Sequence, residues 1–343
     1  MRKYQRAIVF TKVPLGGYYR YKDMFQIFPA DFKDMPQNPY QKHYPNILEY
    51  WFTDDEKIIR ESEYENLNEL FTSTATIVTK EDRIISLLNS FTNNIFFKYN
   101  YEGIWAIPVL FDVNTNVISE EINSLTPKWS IKTFHFPTLS NQLQITKFTN
   151  LSYSEIKKIA HLEFYTRFPN LDNDNERSIV FPETFDSILD SYFSIEKELQ
   201  TIIDSAIGYN MAAIELWGHK KTIGLLASFT AVETMVNLEY RQQKIEKCEN
   251  CGQLKFSVAK KFREYLLKYI GSSNENKKKF NSYYNLRSKI VHTGARLKAE
   301  ILFSEVSKKE LETEYITRVE ILQIGKLSIA NWLLLNTKQT NFL

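Results

Sequence analysis

The chain has 343 residues, of which 43% are hydrophobic and 24% charged, with 10 Gly and 10 Pro. These values fit an ordinary globular protein with room for two cored domains, and they exclude a collagen-like, repetitive or linker-rich chain. The net charge of +2 selects no partner by itself.

No apolar run approaches the roughly 20 residues that a membrane-spanning helix needs. Residues 1–10 are basic but have neither a long apolar stretch nor a small-residue cleavage site, so they do not read as a signal peptide. Two cysteines make no disulfide framework and suit a reducing, cytoplasmic location.

Residues 1–60 are rich in aromatic and turn residues. Ala7–Val13 and Phe25–Phe28 read as short strands. Gly16-Gly17 and prolines 29, 36, 39 and 45 mark turns and irregular chain. Tyr64–Leu70 reads as a short helix. Thr79 to Asp82 has the form of a helix start, and Ile84, Leu87, Leu88 and Phe91 then make one helical stripe that Asn93-Asn94 ends. Ile95–Tyr101 and Ile104–Asp112, joined by Glu102-Gly103, read as a hairpin. Trp129–Phe136 and Gln142–Phe148 are further strands. Ser152-Tyr153-Ser154-Glu155 has capping-box form and predicts a helix to about Arg167. Pro169–Arg177 is polar and acidic and reads as a linker. The sequence therefore predicts an α+β N-terminal domain over 1–175 and an all-α domain over 176–343.

The second part is helical in texture. Phe185, Ile188, Leu189, Tyr192 and Phe193 have helical spacing within 183–206, and another helix runs from about Asn210. Further helices are predicted over Thr222–Tyr240, Ser257–Ile270, Glu275–His292 and about Lys308–Leu335. The last has Ile316, Val319, Leu322, Ile324 and Leu327 as its apolar positions. Helices of this number and little strand predict an antiparallel helical bundle.

Chemistry concentrates in Tyr283-Tyr284-Asn285-Leu286-Arg287-Ser288-Lys289-Ile290-Val291-His292-Thr293-Gly294. Arginine is a permanently charged, two-pronged phosphate ligand. Histidine exchanges protons near neutral pH. Together they suit a phosphodiester: His292 as general base or acid, Arg287 as phosphate ligand. Ser288 is four residues before His292 and shares its helix face, placing it to orient the imidazole. Tyr283 and Tyr284 either stack on bases or pack on a neighbouring helix. Lys289 and Arg296 are candidate contacts to backbone phosphates. From Arg241 to Lys298 there are 15 Lys/Arg and 4 Asp/Glu, a local balance of +11 that leaves −9 for the remainder. Such a concentration attracts a polyanion, RNA being the obvious one. For the Lys277–Lys279 run alone, a solvated helix face is the plain alternative.

Five residues of helix rotate through about 500°, so Arg287 and His292 point about 140° apart. Either the helix ends near His292, with Gly294 as its stop, or two copies of the chain bring their motif helices together.

Cys248-Glu249-Asn250-Cys251 has zinc-knuckle spacing but supplies only two of four ligands. A reduced loop is the alternative, and no cofactor is expected. His43, His135 and His161 have no ligand or nucleophile pattern near them in sequence and read as structural. No Gly-rich phosphate loop, Ser-His-Asp arrangement or paired carboxylates stands out.

Residues 283–294 resemble the Arg-x4-to-6-His motif of HEPN domains, and Leu-Arg-Ser-Lys-Ile-Val-His-x-Gly looks like the Apea-like branch. The resemblance implies an all-α HEPN-type antiparallel bundle over roughly 180–343. It implies a metal-independent endoribonuclease leaving 2′,3′-cyclic phosphate ends, in antiviral defence or a toxin-like role. It favours a homodimer with a composite site, and it implies that Glu233, set in an apolar helix stripe, contacts Arg287 or its helix. The N-terminal domain would then sense a trigger or bind a partner protein. Ser288 departs from the pattern, since many active members have Asn, Asp or His there. The same resemblance admits a non-catalytic HEPN dimer that binds RNA or protein, or a partner of a nucleotidyltransferase.

Overall fold

The computed structural model describes residues 2–30, 43–53, 80–98, 104–109, 130–135, 144–166, 178–243, 258–302 and 305–340. It divides into two compact units, one of 1–88, 94–158 and 170–181, the other of 89–93, 159–169 and 182–343. The first is strand-rich and the second helical.

In the first unit, β1 (Lys3–Thr11), β2 (Tyr19–Tyr21), β3 (Phe25–Pro29) and β4 (Tyr44–Phe52) are joined antiparallel in the order β2-β3-β4-β1. Side chains alternate between faces along each strand. One face carries the apolar row Ile27–Leu48–Ala7, with Phe25 beside Tyr50. Helix α1 (Lys80–Phe91) begins against that face, where the Tyr50 hydroxyl donates to Glu81 at 3.1 Å. The predicted stripe of α1 is buried throughout: Ile84, Leu87, Leu88 and Phe91 are at most 3% exposed.

The opposite face carries a polar row, Gln26–Glu49–Arg6, in direct cross-strand register. Glu49 is fully buried. It accepts from Arg6 Nε at 2.7 Å, Gln26 Nε2 at 2.7 Å, Thr149 N at 2.8 Å and Thr149 Oγ1 at 2.6 Å. A slip of one residue would send Glu49 to the apolar face without these donors, so the row fixes the register.

Several sequence expectations are corrected here. The turn of the hairpin predicted across Glu102-Gly103 lies outside the described residues; among the described ones, β5 (Phe96–Phe97) adds to β1, and β6 (Ile104–Val109) pairs with β7 (Ser130–His135). Phe96 is 1% exposed on that edge. β8 (Gln144–Ile145) also pairs with β1 and is much shorter than predicted. The helix from Ser152 does not form either. Tyr18 N donates to Ser154 O at 2.9 Å and Ile156 N to Tyr18 O at 2.8 Å, which keeps 154–156 extended. Gly17 permits this approach, since a Cβ there would lie 2.4 Å from Ser154 O. The chain then forms β9 (Lys158–Ile159), which pairs with β10 (Phe181–Pro182), and α2 (His161–Thr166). Pro29 and Pro45 lie within strands, each near a strand end where a missing donor costs little. The Tyr64–Leu70 helix, the linker at 169–177 and both cysteines fall outside the described residues.

The second unit contains α3 (Phe185–Ser194), α4 (Lys197–Glu215), α5 (Lys221–Glu239), α6 (Val258–Tyr269), α7 (Asn274–Thr293) and α8 (Lys308–Thr340). The predicted 183–206 helix is two. Ile195 is extended at φ −76°, ψ 156°, and α4 then passes through Asn210. The apolar stripe continues across the break, so periodicity concealed it. Helix α8 packs on α2, α3, α4, α5 and α6 and is the centre of the unit. It is buried on several faces: Val319, Leu322, Ile329, Ala330 and Leu333 are at most 2% exposed. Ile316 was expected inward but is 37% exposed, because the first turns of α8 run beyond the packed region. Among the described residues no helix is long and apolar enough to cross a membrane.

Lys326 of α8 is fully buried and donates to Thr92 O, just past the end of α1, at 2.9 Å. Burial lowers its pKa from 10.5 to about 7. Between those values the unfolded chain holds the proton and the folded chain does not. Stability is therefore expected to rise as pH increases from about 7 toward 10.5, by up to about 1.4 kcal/mol per pH unit from this group. Urea unfolding across that range measures the slope, and Lys326→Met is expected to flatten it.

Candidate active site

The motif helix α7 has defined ends. Ser273 Oγ accepts from Asn276 N at 3.0 Å at the start. Gly294 adopts φ 66°, ψ 19° at the other end and donates to Ile290 O at 3.1 Å. This left-handed conformation suits glycine and stops the helix one residue past Thr293. The expected helix and stop are both present.

Only Phe280, Tyr283 and Ile290 of α7 are buried apolar residues. Polar contacts complete its inner face. Lys279 Nζ donates to Glu320 Oε1 of α8 at 3.0 Å, and the Tyr283 hydroxyl donates to Glu320 Oε2. One turn further, Arg287 Nη2 donates to Glu233 Oε2 of α5 at 2.8 Å, with Nε 2.8 Å from Oε1. Lys279, Tyr283 and Arg287 are spaced by four and so share this face. Arg287 and Glu233 are both largely covered, with side chains 24% and 18% exposed.

The segment after Gly294 is tied to the start of α5. Leu297 N donates to Thr222 Oγ1 at 3.0 Å, while Glu300 accepts from Lys221 N at 2.5 Å and Thr222 N at 3.0 Å. Burial opposes the charge on Glu300, but the Thr222 hydroxyl and the two N–H groups outweigh it, and its pKa falls. Arg287 meets Glu233 and Leu297 meets Thr222, so α7 and α5 run antiparallel.

His292 is exposed in the last turn of α7. At roughly 100° per residue, Lys278, Asn285, Lys289 and His292 form one stripe, and all four are exposed. Arg287 lies on the far side, facing α5. Within one copy of the chain, the arginine is thus joined to Glu233 and not to the histidine.

The remaining candidates separate clearly. Tyr283 is 5% exposed, and burial followed by the Glu320 carboxylate raises its hydroxyl pKa. It cannot stack on a base and acts in packing, the second of the two alternatives for this residue. Tyr284 is half-buried against Phe262 of α6, with ring centroids 5.5 Å apart. Ser288 is half-buried, one helical turn before His292. Lys289 and Arg296 are exposed. Among the described residues no His, Cys, Asp and Glu cluster is arranged to hold a metal.

Sequence reasoning missed Glu320 and Glu300. The spacing of Lys279, Tyr283 and Arg287 signalled a polar inner stripe that needed a carboxylate. It did not say which of the many glutamates would supply it. Nothing in the sequence marked Glu300.

No family model, curated protein or solved structure matches this chain.

Tyr283→Phe removes the hydroxyl held by Glu320. A loss of about 1–2 kcal/mol in urea unfolding is expected.

Proposed function

We propose that this chain is a HEPN-type, metal-independent endoribonuclease whose active centre forms between two copies. The observation that carries the reading is the division of α7. Arg287 is anchored on one side by Glu233, and His292 is exposed about 140° away at the end of the same helix. Between them lie half-buried Tyr284 and Ser288 and exposed Val291, 47% accessible. A second α7 laid antiparallel across that flank brings the arginine of one copy to the histidine of the other. Two-fold symmetry makes two such sites.

The division of labour follows from the chemistry. His292 takes the proton from a ribose 2′-hydroxyl, and the oxygen attacks the adjacent phosphorus. Negative charge grows on the phosphoryl oxygens, where Arg287 stabilises it. Glu233 engages the Nε and Nη2 side of the guanidinium, leaving Nη1 for phosphate. The bond from phosphorus to the 5′-oxygen breaks, that oxygen takes the proton held by His292 and leaves as a hydroxyl, and the other product ends in a 2′,3′-cyclic phosphate. Ser288 orients the imidazole, while Lys289 and Arg296 hold neighbouring phosphates. The strand-rich unit then has the role of sensing a trigger or partner, in a defence or toxin-like setting.

One observation favours a second reading. Arg287 already has a carboxylate counter-charge, which suits a non-catalytic module that binds RNA or protein. Cleavage of mixed RNA in EDTA separates the two. The nuclease reading requires cyclic-phosphate ends, with cleavage reduced at least about 100-fold in Arg287→Ala and His292→Ala. RNA binding without cleavage supports the module.

A mixing experiment tests the composite site. Arg287→Ala and His292→Ala proteins, each inactive, are combined and allowed to exchange subunits. A heterodimer restores one of its two sites, so recovery of about one quarter of wild-type activity is expected. No recovery despite measured exchange would place both residues of each site in the same copy.

A further inference from the structure

We propose that Thr184, His161 and Asn331 form a second reactive centre, in which Thr184 Oγ1 attacks the carbonyl carbon of neutral carboxylic esters. These residues belong to the helical unit, and the inference is independent of the motif on α7. Widely separated in sequence, they meet in the fold. His161 opens α2, Thr184 precedes α3, and Asn331 lies on α8.

The hydrogen bonds have a direction. Asn331 Nδ2 donates to Tyr269 O at 2.7 Å, which turns its Oδ1 toward His161 Nε2 at 2.9 Å. A carbonyl oxygen accepts only, so Nε2 carries the hydrogen in the neutral imidazole and Nδ1 carries the lone pair. Nδ1 lies 2.5 Å from Thr184 Oγ1, and the hydroxyl is therefore the donor. Nucleophile, base and orienting group stand in one chain, which is the arrangement that activates a hydroxyl.

Thr184 is also diverted from the usual work of its position. A threonine at a helix N-cap normally accepts from an N–H of the first turn. Thr184 occupies the N-cap of α3, yet its side chain makes no capping bond. Its hydroxyl faces the imidazole instead. The first turn of α3 begins beside it.

The base is kept neutral. Burial lowers the His161 pKa, against the smaller opposing effect of Asn331. The Tyr165 ring packs against the imidazole at a centroid distance of 5.0 Å. Thr184, His161 and Asn331 are all half-buried rather than sealed. Every partner in the chain of bonds is uncharged: hydroxyl, imidazole, carboxamide and peptide carbonyl. That set matches an uncharged acyl group and offers no counter-charge for phosphate.

In the reaction, Oγ1 bonds to the carbonyl carbon and its proton passes to His161 Nδ1. The carbonyl π pair moves to oxygen. Collapse of the tetrahedral species breaks the bond to the leaving alcohol, which takes the proton from Nδ1. Water repeats the sequence on the acyl-threonine, releases the acid and restores the hydroxyl.

The full-length protein is incubated with p-nitrophenyl acetate, digested, and its acetylated residues mapped by mass spectrometry. Acetylation of Thr184 in the wild-type protein is the expected result. Thr184→Ser is expected to retain it, Thr184→Ala to lose it, and His161→Gln to slow it at least about 100-fold. Acetyl groups confined to lysines and the N-terminus in the wild-type protein overturn the proposal, whether or not any variant folds. Labelling of Thr184 at the same rate in folded His161→Gln also overturns it. The trio would then be a structural tie between α2, α3 and α8.

Discussion

The largely covered guanidinium of Arg287 has its counter-charge in Glu233, and that pair fixes how α7 sits in the helical unit. Helix α7 has few buried apolar side chains, so hydrophobic packing alone sets its rotation weakly. Glu320 and Glu233 receive Lys279, Tyr283 and Arg287 from successive turns. Rotating α7 away would leave a partly desolvated arginine and two partly desolvated carboxylates unpaired. Removing one partner from such a partly covered pair costs more than a surface ion pair contributes. The orientation of every exposed residue on α7, His292 included, follows from those contacts.

The strand-rich unit uses the same device in another form. Glu49 meets two cross-strand donors and a covering threonine, so a buried charge determines which residues face one another. In both places the apolar residues supply burial and a carboxylate supplies register. The buried lysine on α8 is the costly exception, held by one carbonyl and maintained mainly by loss of its proton.

The helical half was legible because amphipathic helices announce themselves locally. Residues 222–240, 257–270 and 275–292 lie within a residue or two of α5, α6 and α7. Gly294 stops the motif helix as its place in the sequence predicts, whereas the N-cap Ser273 was not singled out. The strand-rich half was less legible because strand partners are chosen over long distances. Phe96 lies beside Thr11 of β1, far away in sequence, and Ser152–Glu155 followed Tyr18 instead of its own capping signature. At the candidate site, Arg287, His292 and Glu233 were readable because motif and spacing carry them. Glu320 and the Thr184–His161–Asn331 relay were not. Their members are scattered along the chain, and only tertiary packing brings them together.

The central position of α8 also bears on how the molecule is made. This helix begins at Lys308 and is the last helix described, yet α3, α4, α5 and α6 all pack on it. A chain emerging from the ribosome presents those helices first, with their shared core partner still unmade. Arg287 meets Glu233 early, whereas Lys279 and Tyr283 wait for Glu320. The motif helix therefore reaches its final orientation only once α8 has been made. For a protein proposed to cut RNA, that order means the motif helix is not held in place until α8 has followed it.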